Sequence, residues 1–182
     1  MKIRRATKDD AQAVQEITQL LNVQRDSQNA SGFVEYPIPT IEEYKHLIEG
    51  PSFFYIAENA AKIAGFFSAY NHLFLSSIDT TNDAIIQHIL KKEKPLIYLE
   101  QIAILPEYQQ NGIAAQLFRH FFQEIKNKND DLKRTKQTIW TAISHAPFHN
   151  EPSIALSRKY HFMQKEEITV YNGLTFGIYA IK

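Results

Sequence analysis

The sequence predicts a mixed α/β fold, one sheet with helices on its faces. Three observations predict it. The stretch Tyr98–Lys126 reads as strand, tight loop and helix: Tyr98–Leu105 is apolar and β-branched, Pro106 ends it, and from Ile113 the apolar residues Ala114, Leu117, Phe118, Phe121, Phe122 and Ile125 fall on one helix face. Thr7 with Asp10, and Thr40 with Glu43, have the spacing of capping boxes that open helices. Asn172-Gly173, between two β-rich runs, is a strong short hairpin signal.

Taken in order, Lys2–Ala6 forms a first strand, and Ala11, Val14, Ile17 and Leu21 follow at helical spacing. From Asn22 to Pro39 periodicity fails, which predicts a long loop, and loops of that length in compact domains are often functional. Ile41, Tyr44, Leu47 and Ile48 mark the buried side of a second helix stopped by Gly50-Pro51. Phe53–Glu58 and Ile63–Tyr70 form a hairpin around Asn59. Asn71–Pro95 breaks the simple pattern and holds a helix over Asn82–Lys92. After the central helix come a charged loop (Asn127–Lys136), a strand (Thr138–Ile143) carrying Trp140, and a loop to Asn150. Asn150 caps a helix with Pro152 in its first turn, running to about Tyr160. Glu167–Tyr171 and Leu174–Ile181 are the arms of the last hairpin. The order is β-α-α-β-β-(insert)-β-α-β-α-β-β, with parallel crossings at the central helix and the helix after it.

At 182 residues, without repeat, linker or low-complexity tract, the chain suits one domain, 1–182. The 20 Lys and Arg balance the 20 Asp and Glu, so no bulk field favours nucleic acid or an anionic membrane. The basic cluster Lys133-Arg134-Thr135-Lys136 follows Asn129-Asp130-Asp131 and reads as a solvated loop. Absence of cysteine removes disulfides, a thiolate nucleophile and thiolate-bound metals. The N-terminus runs straight into structured-looking sequence and no apolar run approaches a membrane span, so a soluble cytoplasmic protein is expected. A homodimer is left open.

Between the central strand and helix lies Gln109-Gln110-Asn111-Gly112-Ile113-Ala114. Gly112 and the small Ala114 let a ligand approach bare backbone at a helix N-terminus, where unpaired N–H groups and about half a positive charge suit a phosphate. Neither GxGxxG nor GxxxxGK[ST] is present, and on spacing alone the run equally describes a helix after a polar turn. The run resembles the acetyl-CoA-binding motif [RQ]xxGx[GA] of the GCN5-related N-acetyltransferase (GNAT) family at Gln109, Gly112 and Ala114, and Ile-Leu-Pro-Glu-Tyr is similar to that family's lead-in. A second motif, NxxAxxLYxKxGF, is matched at Asn150, Leu156, Lys159 and Phe162, with Ser153 in place of the alanine, Ser157 in place of the tyrosine and His161 in place of the glycine. The family's element order spans essentially the whole chain, with Asn71–Pro95 as the extra piece.

The resemblance implies the acyl-CoA N-acyltransferase fold, a mostly antiparallel twisted sheet flanked by helices. It implies acetyl-CoA as co-substrate, with the backbone of Ile102, Ala103 and Ile104 pairing with the pantetheine arm as an added strand would. The amides of Gln110, Asn111, Gly112, Ile113, Ala114 and Ala115 are expected on the pyrophosphate. Gln109 stands where many members have arginine and donates hydrogen bonds without charge, and Asn150 is a further coenzyme candidate beside its capping role.

Chemistry requires that an alkylammonium, with an unperturbed pKa of about 10.4, lose a proton before attack. Glu100, the one carboxylate inside the central strand, is the candidate base; alternatively it is an ion-paired structural residue. For protonation of the departing thiolate, Tyr160, about one helical turn after Ser157, ranks above Ser157; alternatively it is a core aromatic ending a helix. His145 and His149 are loop residues able to relay protons or to serve packing. No His/Asp/Glu spacing makes a metal site and no serine sits in a nucleophile elbow. The expected function is transfer of acetyl from acetyl-CoA directly to a primary amine of a small molecule or peptide. The alternative is a degenerate acyl-CoA-binding sensor or scaffold, kept open by Ser157. The resemblance implies acceptor contacts from Asn22–Pro39 and from elements near the last hairpin, segments that carry Arg25, Asp26, Glu35, Tyr36, Tyr171 and Tyr179.

Overall fold

The computed structural model describes residues 1–26, 32–60, 62–132 and 137–182. Its elements are β1 (Lys2–Arg5), α1 (Ala11–Leu21), β2 (Asn22–Val23), β3 (Phe33–Val34), α2 (Ile41–Glu49), β4 (Ser52–Asn59), β5 (Lys62–Asn71), α3 (His72–Leu75), α4 (Ala84–Leu90), β6 (Leu96–Ile104), α5 (Ile113–Leu132), β7 (Thr138–Ala146), α6 (Glu151–Lys159), β8 (Met163–Val170) and β9 (Leu174–Ile181). Seven strands form one sheet in the order β1-β4-β5-β6-β7-β9-β8, and β2 and β3 form a separate parallel pair. The β6–β7 pair is parallel, Leu96–Leu99 against Thr138–Thr141, so the expected crossover falls at α5. The β1–β4, β7–β9 and β8–β9 pairs are antiparallel, which puts β8 parallel to β7 with β9 between them, the second expected crossover.

Contacts group the residues into two units. The first holds 1–21, 37–69 and 101–136. In it Asp10 closes the expected box on Thr7, taking the Thr7 N–H at 2.8 Å, and Arg4 forks both Asp10 oxygens at 2.7 and 2.8 Å. Thr40 caps α2, its hydroxyl accepting from the Glu43 N–H at 3.2 Å. Apolar spacing on α5 buries Leu117, Phe118 and Phe121, and the Phe121 ring lies 5.2 Å from Phe53 and 4.8 Å from Phe67. Each such aromatic removes a large apolar area from water, worth roughly 2–3 kcal/mol.

The second unit holds 22–36, 70–100 and 137–182. Its added piece, α3 and α4, is tied down by named contacts. Asn71 caps α3 through the Phe74 N–H, Asp83 caps α4 through the Ile86 N–H, and the Tyr171 hydroxyl donates to Asp83 at 2.9 Å. Burial pushes the Tyr171 phenol up to about 12, Asp83 adding to the effect. His88 and Lys92 both reach Glu166 on β8. The extra segment is thus bound to the last hairpin.

Several boundaries differ from the sequence expectation. The loop expected over Asn22–Pro39 contains β2 and β3, because Asn22 pairs locally with the Tyr36 backbone; residues 27–31 lie outside the described set. Helix α5 continues to Leu132, past Lys126, and the basic cluster Lys133–Lys136 lies outside the described residues. Strand β7 extends to Ala146 and carries a bulge between Ser144 and Ala146. Strand β8 starts at Met163 rather than Glu167: it is the edge of the sheet, its first residues are exposed, and such a strand shows no apolar alternation.

Candidate functional site

The loop that opens α5 is built by backbone conformation. After β6, the Leu105 N–H donates to the Ala64 carbonyl at 2.9 Å, and Pro106–Tyr108 makes one 3-10 turn. Gln110 and Gly112 then take left-handed conformations, φ 62° and 72°. Two such residues separated by one fold the chain over before α5 starts at Ile113, and the Gln116 N–H closes on the Gly112 carbonyl at 3.1 Å. The Asn111 side chain ties the loop to itself, donating to the carbonyls of Tyr108 and Gln109 at 3.3 and 3.2 Å. A Cβ built on Gly112 meets nothing within 4 Å, so the space above the loop is open to a ligand. Lys62, the cation beside the turn, is paired with Glu107 at 2.9 Å and stacked on the Tyr108 ring.

The Gln109 amide donates to the Ile104 carbonyl at 3.0 Å, bracing the loop on the strand. Ile102 and Ile104 are half-buried while Ala103 and Gln101 on the opposite face are 1% exposed. Among the described residues no partner is found for either polar atom of the Gln101 amide. Gly65 admits the backbone of β6: a Cβ there would collide with the Ala103 carbonyl.

In the second unit, β6 places Glu100 at half-burial, and the Tyr36 hydroxyl donates to its Oε1 at 3.0 Å. This partner, 64 residues away in the chain, was not legible from spacing. The signal available was a Phe33…Tyr36-Pro37 aromatic run inside an otherwise polar loop. Alternation puts Tyr98, two residues earlier and 5% exposed, on the face of Glu100.

Asn150 caps α6, its Oδ1 accepting from the Ser153 N–H at 3.2 Å while its nitrogen contacts the Gly32 carbonyl at 3.4 Å. Ser157 is buried on α6 and Tyr160 is half-buried at the helix end. The helix closes in a Schellman motif, with the Phe162 N–H on the Ser157 carbonyl at 3.0 Å and the His161 N–H on the Arg158 carbonyl at 2.9 Å. His161 therefore stands at the left-handed position, φ 64°, which explains why the related motif has glycine there.

The bulge on β7 turns His145 into the sheet. Its Nδ1 meets Glu167 at 2.6 Å and its Nε2 meets the Tyr179 hydroxyl at 2.9 Å, and a Cβ on Gly177 would collide with the ring. His145 was expected in a loop; it is a strand residue with both nitrogens engaged. His149 lies next to it, ring centroids 5.0 Å apart. Among the described residues no group of three or more His, Asp or Glu could hold a metal, and no helix is long and apolar enough to cross a membrane.

An N-acetyltransferase from Staphylococcus aureus is 21% identical, with TM-score 0.63 over 99% of this chain and 96% of that one. The yncA protein from Salmonella typhimurium, solved with its cofactor acetyl-CoA, is 14% identical, with TM-score 0.65 over 100% and 93% of the two chains. An Arabidopsis thaliana protein solved with the bisubstrate analogue CoA-Ac-MVNAL is also 14% identical, with TM-score 0.65 over 100% and 97%. Comparison with curated protein sequences finds no match. At these identities the structures establish the fold. The sequence profile of the acetyltransferase (GNAT) family matches residues 15–162, and the chain belongs to that family.

Proposed function

We propose that this chain, acting as one N-acetyltransferase domain over residues 1–182, moves acetyl from acetyl-CoA directly to a primary amine of a small molecule or peptide. The observation that carries the reading is the loop Gln109–Ala114: two left-handed residues, open space above Gly112 and the start of a 20-residue helix, a backbone anion cradle without basic side chains. The acetyl-CoA and CoA-analogue complexes of the similar Salmonella and Arabidopsis proteins support it.

In this reading Gln110, Asn111, Gly112, Ile113, Ala114 and Ala115 present backbone to the pyrophosphate. The backbone of Ile102, Ala103 and Ile104 holds the pantetheine arm; one Ile104 lone pair serves Gln109, and a carbonyl has a second. The thioester supplies the acetyl group. Glu100 takes the proton from the acceptor ammonium, with the Tyr36 hydroxyl stabilising the carboxylate. Tyr160, or Ser157 one turn earlier, supplies a proton to the leaving sulfur. Asn150, which caps α6, is a further coenzyme-binding residue in this reading. The proposed setting is the cytoplasm, and a homodimer is compatible with it.

The second reading is an acyl-CoA-binding sensor or scaffold without transfer, and Ser157 at the tyrosine position favours it. Free-thiol release on mixing the protein, acetyl-CoA and a panel of amines decides between them. Amine-dependent thiol release establishes the transferase; tight CoA binding with none establishes the sensor.

A further inference from the structure

From Leu96 to Leu105 the central strand and its end are built of apolar and aromatic residues, with two exceptions, Glu100 and Gln101. Glu100 is half-buried and accepts from a phenol. Gln101 is 1% exposed, and among the described residues neither its Oε1 nor its Nε2 has a hydrogen-bond partner. A side-chain amide carries two N–H donors and an oxygen with two lone pairs. Burying all of them unmet is unfavourable, and methionine would fill nearly the same volume without that penalty. Where a chain breaks the rule that buried polar groups are paired, the break concentrates at functional sites.

The position of Gln101 on β6 narrows what can meet it. Side chains alternate along a strand, so Gln101 shares its face with Ala103, which is small and as deeply buried. β6 ends at Ile104, and one 3-10 turn then leads to the loop of Gln110 and Gly112. Gln101 is three residues back from that end, about 10 Å at 3.3 Å per residue. With the pyrophosphate at the loop and the pantetheine arm on Ile102–Ile104, Gln101 lies on the sulfur side of the arm.

Chemistry narrows it further, because a donor and an acceptor are unmet together. Phosphates and a thioester carbonyl only accept, and an alkylammonium only donates. The pantetheine arm carries two amides, and each offers an N–H and a carbonyl. We propose that Gln101 is a coenzyme-binding residue whose side-chain amide accepts from an N–H and donates to a carbonyl of the pantetheine arm. This rests on the reading of β6 and the loop before α5 as the coenzyme site. The amide is covered by protein, so the side chains over it part as the arm enters. Backbone groups of Ile102–Ile104 recognise any extended chain; Gln101 adds recognition of the amides themselves.

The test uses the full chain with two ligands, CoA and adenosine 3′-phosphate 5′-diphosphate, the nucleotide half of CoA without the arm. Gln101→Met should raise Tm by about 3–8 °C, since an unmet amide becomes an apolar side chain of similar length. In calorimetry it should bind CoA about 10- to 100-fold more weakly, the size of one or two lost hydrogen bonds, and bind the nucleotide half as wild type does. CoA affinity within about twofold of wild type overturns the inference. Equal losses for the two ligands also overturn it, because the effect then sits at the loop and not at the arm. A Gln101→Met chain that melts earlier than wild type, or does not fold, has lost partners that the amide finds inside the fold, ordered water included, and overturns it as well. Gly112→Asp separates this inference from the reading beneath it. If that variant binds both ligands as wild type does, the coenzyme site itself is misplaced. If it weakens both while Gln101→Met binds CoA normally, only the role of Gln101 falls.

Discussion

Gly112→Asp tests the coenzyme cradle most directly. Gly112 sits at φ 72°, and a Cβ there enters space with no protein atom within 4 Å. The new side chain therefore meets no steric barrier within the protein, and its backbone strain, of order 1 kcal/mol, weighs on free and bound protein alike. What changes on binding is electrostatic. A carboxylate about 5 Å from a pyrophosphate of roughly two negative charges, at an effective dielectric of about 40–80, costs about 2–3 kcal/mol, or a roughly 30- to 200-fold loss of affinity. Gly112→Asn is the control, because asparagine has nearly the same shape, also tolerates the left-handed region, and carries no charge. Calorimetry with CoA on wild type and both variants measures the effect, and circular dichroism establishes that each is folded. The gap between the aspartate and asparagine variants should narrow as salt rises, since the charges are exposed. A folded Gly112→Asp protein that binds CoA as tightly as Gly112→Asn and wild type would refute the assignment of the pyrophosphate to this loop.

Other expectations follow from the same structure. Glu100→Gln should slow amine acetylation on the order of 100-fold with CoA affinity unchanged, and the deficit should shrink as pH rises and more amine is already deprotonated; parallel pH–rate profiles would make Glu100 structural. Tyr160→Phe should lower turnover more than coenzyme affinity, measured by steady-state kinetics beside calorimetry. His161→Gly should raise stability by about 0.5–1 kcal/mol, a Tm increase of a few degrees by differential scanning fluorimetry, because it relieves the left-handed histidine of the Schellman motif. Asp10→Asn should cost about 2 kcal/mol at pH 7, as it breaks the Arg4 fork. Burial alone would raise Asp10, but Arg4 and the Thr7 N–H outweigh it and hold the carboxyl below its ordinary 3.8. The gap between wild type and Asp10→Asn should therefore be full above about pH 3.8 and close as pH falls through the lower folded value, in urea titrations across that range.

The sequence by itself determined what depends on neighbours along the chain. Capping at Thr7, Thr40 and Asn150, the apolar face of α5, the Asn172-Gly173 turn and the glycine of the loop before α5 are local signals, because each rests on hydrogen bonds or side-chain spacing within a few residues. They were enough for the order of the main sheet strands and the helices between them, for the family and for making Glu100 a candidate. Tertiary structure decided what depends on distant partners. The start of β8 was hidden because an edge strand exposed at its first residues carries no alternation, and β2 and β3 because two-residue strands rest on the Asn22–Tyr36 clamp. The placement of His145 needed a bulge set by its register with β9. Above all, the link from Tyr36 to Glu100 emerges only when segments far apart in sequence fold together, since no local periodicity records which carboxylate oxygen will meet which donor.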